Sequence, residues 1–208
     1  TASDEWVLDP GDILYLPPGV PHHGEAVDAC MTFSVGMRAP SQAELIVDLA
    51  EELAAALPEE ARYSDADLAE PLDAFEIDAS AFARVDDAIA SLQSLDPARK
   101  REWFGRFITR YRTSGEISAA PRTPRFESVK KSLAEGGLLL RHPFARTAWS
   151  RTDGLPGAGA LLFVSGQAFP MNPQSAHVLA AYEALDDAAL DKLDQDALEA
   201  LACLVQGG

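Results

Sequence analysis

The chain is poor in cysteine and histidine, and it has no long apolar run. Its 208 residues include only two cysteines, Cys30 and Cys203, and only four histidines. Two cysteines are too few for a disulfide framework, and their apolar neighbours predict buried thiols. No run of about 18 apolar residues is present, so we expect no membrane-spanning helix. The first residues lack the basic and apolar regions of a signal peptide, and we therefore expect a cytoplasmic protein with no membrane partner.

Basic residues are scarce relative to acidic ones. Lysine and arginine together number 17, aspartate and glutamate number 33, and the formal net charge is −16. A surface with this excess of negative charge repels polyanions, so no direct nucleic-acid binding is expected. Most of the cations lie in residues 99–131. Two interpretations of that stretch stay open: solvated helix faces paired with acidic neighbours, or a basic contact surface.

The first part of the chain has the pattern of β-strands. Residues 13–16 form a short apolar run between Gly11-Asp12 and Pro17-Pro18, which is typical of a strand with a turn at each end. Residues 29–35 alternate between apolar and small polar side chains. That period of two predicts a strand with unlike faces.

The next part has the pattern of helices. A capping box formed by Ser41 and Glu44 predicts a helix over about 41–57, with leucines at four-residue steps. A second helix is predicted over about 79–95. A third should begin at Asp96-Pro97 and carry an aromatic stripe. The proline-, glycine- and serine-rich residues 113–124 are predicted to be a linker.

The last part mixes both patterns, which predicts a winged-helix-like module. A helix should end at Gly136-Gly137, and Ser165-Gly166 should form a turn. The predicted helices are 126–135, 174–184 and 195–205, and the predicted strands are 138–140, 144–149 and 160–164.

Two adjacent histidines lie in a proline-rich turn. Residues 15–24 read YLPPGVPHHG, and the prolines restrict the backbone before His22 and His23. A restricted histidine suits a metal ligand, and it equally suits a simple tight turn. A metal site needs three or four ligands, and neighbours on a strand point to opposite faces, so both histidines cannot easily serve one ion.

These phrases resemble a known family. PGDILYLPPGVPHHG at residues 10–24 and MTFSVGMRAPS at residues 31–41 resemble the bacterial ribosomal oxygenases, which are cupin-type JmjC proteins that hydroxylate an arginine of a large-subunit ribosomal protein. YSD at 63–65 and WFGRF at 103–107 also resemble family phrases in the expected order.

The resemblance implies an α+β protein of three parts that forms a homodimer. Residues 1–38 would be the last strands of a JmjC/cupin double-stranded β-helix, and 39–112 a helical dimerisation domain. Residues 113–124 would link them to a C-terminal winged-helix-like domain over 125–208.

The resemblance also implies Fe(II) and 2-oxoglutarate as cofactor and co-substrate. The family holds iron with a His-x-Asp pair and a distal histidine, which leaves positions open for 2-oxoglutarate and oxygen. His22 matches the distal histidine. Thr32 and Ser34 match a strand that lines the family's pocket, so they would bond to 2-oxoglutarate, a water or the substrate, or be ordinary inward hydroxyls. No residue here is assigned as catalytic.

The other metal ligands are not in this sequence. His142 is followed by Pro143 and His177 by Val178, so neither begins a His-x-Asp pair. We therefore expect the chain to be the C-terminal part of a longer oxygenase and to be inactive alone. Two alternatives stay open: an inactive dimerising scaffold or binding module with a winged-helix arm, and a metal-binding cupin of other chemistry.

Overall fold

A computed structural model describes residues 4–36, 38–62, 77–93, 95–111, 124–152 and 159–207. The chain forms two compact units, Thr1–Ala39 and Pro40–Gly208, and each is described by itself. The Tyr63-Ser-Asp65 phrase and almost all of the predicted linker lie outside the described residues.

The first unit contains neither of its two predicted strands. Within residues 4–36 the chain is assigned to no helix and no strand, so the predictions for 13–16 and 29–35 are wrong for this structure. A strand exists only when its backbone bonds to a partner strand, and the alternating side chains need a layer to cover them. Here the apolar side chains face solvent, with Ile13 at 94% and Phe33 at 83% exposure.

Three helices open the second unit, and all three predictions are confirmed. They are α1 (Gln42–Ala55), α2 (Ala79–Gln93) and α3 (Pro97–Arg110). The capping box before α1 is complete, because the Ser41 hydroxyl accepts from the backbone N–H of Glu44 and the Glu44 carboxylate accepts from that of Ser41. Asp96 caps α3 through the N–H of Ala98, and Pro97 fills the first helical position.

Helix α3 packs directly on a small antiparallel sheet. That sheet has the order β2-β3-β4, formed by Thr147–Arg151, Ala160–Val164 and Gln167–Met171, and a separate pair joins β1 (Leu139–Leu140) to β5 (Ala184–Leu185). A Cβ on Gly105 of α3 would lie 2.3 Å from the ring of Phe163. Only glycine therefore lets the helix approach β3 this closely.

The turn between β3 and β4 also touches α3. Ser165 and Gly166 have φ of 48° and 88°, as a two-residue hairpin turn of type I′ requires. The N–H of Gly166 donates to the hydroxyl of Thr109 at 3.0 Å, and that hydroxyl is itself bonded to the carbonyl of Gly105. The predicted turn is confirmed, whereas strand β4 was not predicted.

The remaining helices enclose the main core. They are α4 (Phe126–Ala134), α5 (Pro173–Ala181), α6 (Asp187–Leu190) and α7 (Gln195–Gly207). Predictions for α4, α5 and α7 are confirmed, with α4 followed by Gly136 at φ 90°, while α6 and β5 were missed because each is very short. The core between these helices and the sheet is fully buried at its centre, where Leu162, Met171, Leu179 and Leu201 meet.

Both cysteines are exposed, so the prediction of buried thiols is wrong. Cys203 lies on α7 with its side chain away from the buried positions Ala197, Ala200 and Leu201. Helix α7 carries apolar residues on several sides, but the core covers only one stripe of it. The apolar neighbours of Cys203 in sequence therefore do not show that its thiol is buried.

Candidate functional site

A tight turn positions the two histidines. The N–H of Val20 donates to the carbonyl of Pro17 at 3.3 Å, and Gly19 between them has φ 81°. Proline at the second position and a positive φ at the third are the signature of a type II turn. Because Pro18 is locked and Gly19 tolerates the positive φ, the turn directs the chain that follows into one path.

His22 is held by this turn through one ring nitrogen. Its Nδ1 lies 3.1 Å from the carbonyl oxygen of Val20. A carbonyl can only accept, so the geometry selects the tautomer with a proton on Nδ1 and a lone pair on Nε2. A backbone acceptor on one nitrogen is the usual support for a histidine that binds metal through the other. His22 is exposed, so its Nε2 is open to a ligand.

His23 is engaged differently. Its Nε2 lies 3.4 Å from the Glu25 carboxylate, and both side chains are more than four-fifths exposed. An exposed pair of this kind contributes little stability. The two histidines therefore contact different groups, and nothing in the described part of the turn joins them in one site.

Thr32 and Ser34 are also exposed. They follow the histidine turn in a stretch with neither helix nor strand, and within residues 4–36 neither side chain makes a hydrogen bond. Among the described contacts, none connects either hydroxyl to His22.

The donor set determines how far these residues fit a metal ion. Fe(II) in a two-histidine, one-carboxylate site needs three protein ligands on one face. In the described part of the chain, no group of three or more histidine, cysteine, aspartate or glutamate side chains is arranged to hold a metal. His22 fits the role of a single imidazole ligand, and the described residues alone do not form a complete iron site.

A second polar cluster, which the sequence did not predict, joins α1 to α3. Asp48 accepts from the indole Nε1 of Trp103 at 2.8 Å and from Arg110 Nη2 at 2.7 and 3.0 Å. Trp103 is 7% exposed, so this carboxylate satisfies an indole N–H that would otherwise be buried without a partner. The available signal was an acid flanked by Leu45 and Leu49 on the apolar side of α1.

An open depression lies beside this Asp48 cluster. It has a volume of about 430 Å³, and Phe107, Val47 and Tyr111 contribute much of its wall. The hydroxyl of Tyr111 donates to the Glu44 carboxylate at 3.0 Å. The lining thus combines apolar side chains with acidic groups of α1, and the Tyr111–Glu44 bond joins α1 to the end of α3 there.

The basic stretch of α3 pairs with acids where the structure describes its partners. Arg106 bonds to Glu102 one turn earlier and lies 3.8 Å from Glu52 on α1, while Arg110 binds Asp48. For Arg106 and Arg110, these contacts favour paired helix faces over a free basic surface.

A further set of polar contacts ties β2 to α5. The hydroxyl of Thr147 donates to the carbonyl of Ala180 at 2.8 Å, and Arg141 donates to both groups. Nearby, burial raises the pKa of the Tyr182 hydroxyl, an effect that the charge of Arg141 partly opposes. The bonds of Thr147 and Arg141 hold β2 against the last turn of α5.

Aromatic and cationic side chains meet at the far end of β2. The guanidinium of Arg151 lies 5.5 Å from the centre of the Trp149 ring, and His177 of α5 approaches that ring edge-on at 5.9 Å.

No helix among the described residues is long and apolar enough to cross a membrane.

Comparison with family models identifies two regions of the chain. A JmjC domain model matches residues 1–45, and a ROXA-like winged helix model matches residues 89–208, which is more than half of the chain. The second match begins within α2 and includes α3, consistent with the direct packing of α3 on the sheet.

Comparison with characterised proteins gives two relatives. The chain is 33% identical over 136 residues to the ribosomal protein uL16 3-hydroxylase of Escherichia coli, covering 64% of this chain and 36% of that protein. It is 52% identical over 40 residues to a probable ribosomal oxygenase of Haemophilus influenzae, covering 19% and 10%. The chain therefore spans little more than a third of the length of the E. coli protein.

Solved structures share the fold. A crystal structure of the E. coli ribosomal oxygenase YcfD matches with a TM-score of 0.59 at 23% identity, covering 82% of this chain and 46% of that one. The same protein in complex with cobalt and 2-oxoglutarate matches with a TM-score of 0.56 at 23% identity, covering 81% and 45%.

Proposed function

The chain belongs to the ribosomal oxygenase family, and from this premise we propose that it is the C-terminal part of an Fe(II)- and 2-oxoglutarate-dependent oxygenase that hydroxylates a ribosomal protein. The observation that carries the proposal is the anchored ring of His22, which lies inside the region matched by the JmjC model. The target is a side chain, arginine in this proposal, of a large-subunit ribosomal protein. Because ribosomal proteins are the proposed substrates, we propose that the enzyme acts in the cytoplasm.

Within the proposed site, each residue has a distinct task. His22 would offer Nε2 to the metal, while its Nδ1–H bond to Val20 holds the ring in position. Thr32 and Ser34 would donate hydrogen bonds to 2-oxoglutarate. When bound, iron with its co-substrate supplies the oxidising power to hydroxylate an unactivated C–H bond. The described residues provide one ligand only, so we propose that this chain alone does not turn over 2-oxoglutarate.

The charge of the chain supports a basic substrate. A net charge of −16 attracts cationic ribosomal proteins at long range and repels free nucleic acid. We therefore place a ribosomal protein, and neither nucleic acid nor a membrane, as the partner.

A homodimer is the second part of the proposal, and exposed apolar side chains on the first helices support it. Ile46 of α1 is 67% exposed, Phe82 of α2 is 60% exposed and Phe104 of α3 is 45% exposed. Neighbouring apolar positions such as Val47, Val85 and Ile89 are also exposed. Large exposed apolar faces on adjacent helices are typical of a surface that a second protein covers.

The metal ligand is tested with two matched variants. Co(II) added to the 208-residue chain should perturb the imidazole NMR signals of His22 more than those of His23. His22→Ala should abolish that response, and His23→Ala should leave it intact because His23 contacts Glu25 instead. Equal effects of both variants would contradict the assignment of His22.

Activity is tested by joining this chain to the preceding part of the E. coli relative, which supplies the remainder of a JmjC barrel. The chimera should add one oxygen atom to a uL16 peptide, as measured by mass spectrometry, and His22→Ala should abolish the addition. Thr32→Val and Ser34→Ala should raise the KM for 2-oxoglutarate more than they lower kcat. A folded chimera that binds Co(II) but never oxidises peptide would favour the inactive scaffold.

A further inference from the structure

The hydrogen-bond parity of strand β2 shows which of its backbone groups are used. The carbonyl of Arg146 accepts from Ser165 and the N–H of Thr152 donates to Gly159, both at 3.0 Å. These two pairs bracket the β2–β3 ladder, and the register between them is continuous. Hydrogen-bonded pairs alternate along an antiparallel ladder, so Ala148 and Ser150 also bond to β3. The intervening residues Thr147, Trp149 and Arg151 turn their backbone groups away from the sheet.

Among the described residues, no strand pairs with that outer edge at Trp149 and Arg151. β3 is the only strand neighbour of β2 in the described sheet. At the Thr147 end, the edge is covered by its side-chain bonds to Ala180 and Arg141. At the other end, one contact to an outward backbone group is found among the described residues. The carbonyl of Arg151 accepts from the hydroxyl of Ser150 at 3.2 Å. Within the described residues, neither the two outward groups of Trp149 nor the N–H of Arg151 has a backbone partner.

The opposite edge of the sheet is blocked. On β3, Leu161 and Phe163 bond to β2, so Leu162 between them bonds to Phe169 of β4. The backbone groups of the neighbouring β4 residues, Ala168 and Pro170, therefore point outward. Proline has no N–H, and it is a common way of preventing an added strand. The sheet is therefore closed to strand addition at β4 and open at β2.

The sequence around the open edge is less acidic than the rest of the chain. Residues 136–182, which lie between Glu135 and Glu183, contain three arginines, two of the four histidines and one acidic residue, Asp153. Arg151 is exposed and makes no ion pair within the described residues, and it lies on the same strand face as Trp149. As far as the structure describes the chain, the edge thus presents backbone donors and acceptors, an aromatic ring and the guanidinium of Arg151, which makes no ion pair there.

We propose that the outer edge of β2 binds an extended acidic segment of a partner protein by strand addition. An antiparallel segment would exchange two backbone hydrogen bonds with Trp149 and accept one from the N–H of Arg151. Its side chain opposite Arg151 would be a carboxylate, and the one two residues later, opposite Trp149, would be apolar. The recognised pattern is acid-x-apolar in chain direction. This surface is separate from the proposed metal ligand, and it takes an acidic partner rather than a basic ribosomal protein.

The test uses the whole chain and a short labelled peptide of alternating threonine and valine that carries a glutamate and, two residues later, a phenylalanine. Binding is followed by fluorescence polarisation, and amide exchange is followed by NMR. In the free chain the amides of Ala148 and Ser150 should exchange slowly and those of Trp149 and Arg151 quickly. The peptide should slow exchange at Trp149 and Arg151, and the version with the two residues in reversed order should bind more weakly.

Variants separate the charge from the backbone contribution. Arg151→Glu should weaken binding of the glutamate peptide by about three- to ten-fold, and a lysine in place of that glutamate should restore it. Arg151→Pro removes an outward N–H that no strand of the sheet uses, so the fold should persist while binding is lost. Ala168→Pro is the matched change on the blocked edge and should have no effect.

Four results would overturn the proposal. The first is unchanged amide exchange at Trp149 with saturating peptide, and the second is equal loss of peptide binding with Arg151→Pro and Ala168→Pro. The third is tight, Arg151-dependent binding of a single-stranded RNA that displaces the peptide. The fourth is a shift from dimer to monomer on Arg151→Pro, which would assign the edge to a second copy of the chain. Because none of these measurements involves metal or 2-oxoglutarate, the outcome is independent of the oxygenase proposal.

Discussion

Replacing Gly105 with alanine should destabilise the second unit through a steric conflict in its interior. The new Cβ would lie 2.3–2.4 Å from three ring atoms of Phe163, well inside ordinary contact distance. Phe163 is only 2% exposed, so its ring has no open space to enter. Either the ring must leave its position or α3 must move away from β3, and interiors resist both.

Two opposing effects set the magnitude of this change. Overpacking of this kind costs about 1–3 kcal/mol, and the severity of the contact places Gly105→Ala near the upper limit. Alanine in place of glycine inside a helix returns about 1 kcal/mol. The expected net loss in the free energy of unfolding is therefore about 2 kcal/mol, which corresponds to a fall in Tm of about 4–8 °C for a chain of this size.

The assay is urea unfolding followed by tryptophan fluorescence, supported by calorimetry. Gly24→Ala is the matched control, because a Cβ there meets nothing within 4 Å and should change stability by less than about 0.5 kcal/mol. Phe163→Leu shortens the opposing side chain, so adding Gly105→Ala to it should cost much less than in the native background. An unchanged or increased stability of Gly105→Ala would refute the packing argument.

Four further predictions concern other contacts of the second unit. Asp48→Ala should cost about 2–3 kcal/mol in urea unfolding because it leaves the buried indole N–H without an acceptor, whereas Glu51→Ala on the exposed side of α1 should be nearly neutral. Ser41→Ala should lower helix stability by about 1 kcal/mol through loss of the cap, measured by thermal circular dichroism. Asp194→Ala should cost about 1–2 kcal/mol in the same assay, since that carboxylate accepts two backbone N–H groups. Burial raises the pKa of Tyr182, so the unfolded chain loses the phenolic proton at lower pH than the folded chain, and the free energy of unfolding should fall as pH rises above the ordinary tyrosine pKa. Tyrosinate absorbance during unfolding would show this, and Tyr182→Phe should remove that part of the dependence of stability on pH.

The helices were predictable because their signals are local. The Ser41–Glu44 box, the Asp96-Pro97 start and the glycine after α4 act within one turn of chain, and each lies where the pattern indicated. Strand β4 was not predicted because Pro170 interrupts its pattern, and proline is tolerated there because its backbone nitrogen points away from β3.

The sequence names a candidate metal ligand, and the structure adds the contacts of its ring. The sequence phrase pointed to His22 rather than His23, and the structure adds the bond from its ring to Val20 and the separate contact of His23 with Glu25. The assignment of His22, Thr32 and Ser34 stays a prediction, because the described residues hold no complete set of ligands.

By itself, the sequence determined the family, the acidic character of the chain, the helix starts and the rigid turn before His22. These depend on residue identity and on contacts between near neighbours. Only the tertiary structure decided that 13–16 and 29–35 form no strands here, that Asp48 accepts from the indole of Trp103, and that β2 has a strand neighbour on one side only within the described residues. Each of these depends on which distant segment lies opposite a residue, and no local pattern carries that information.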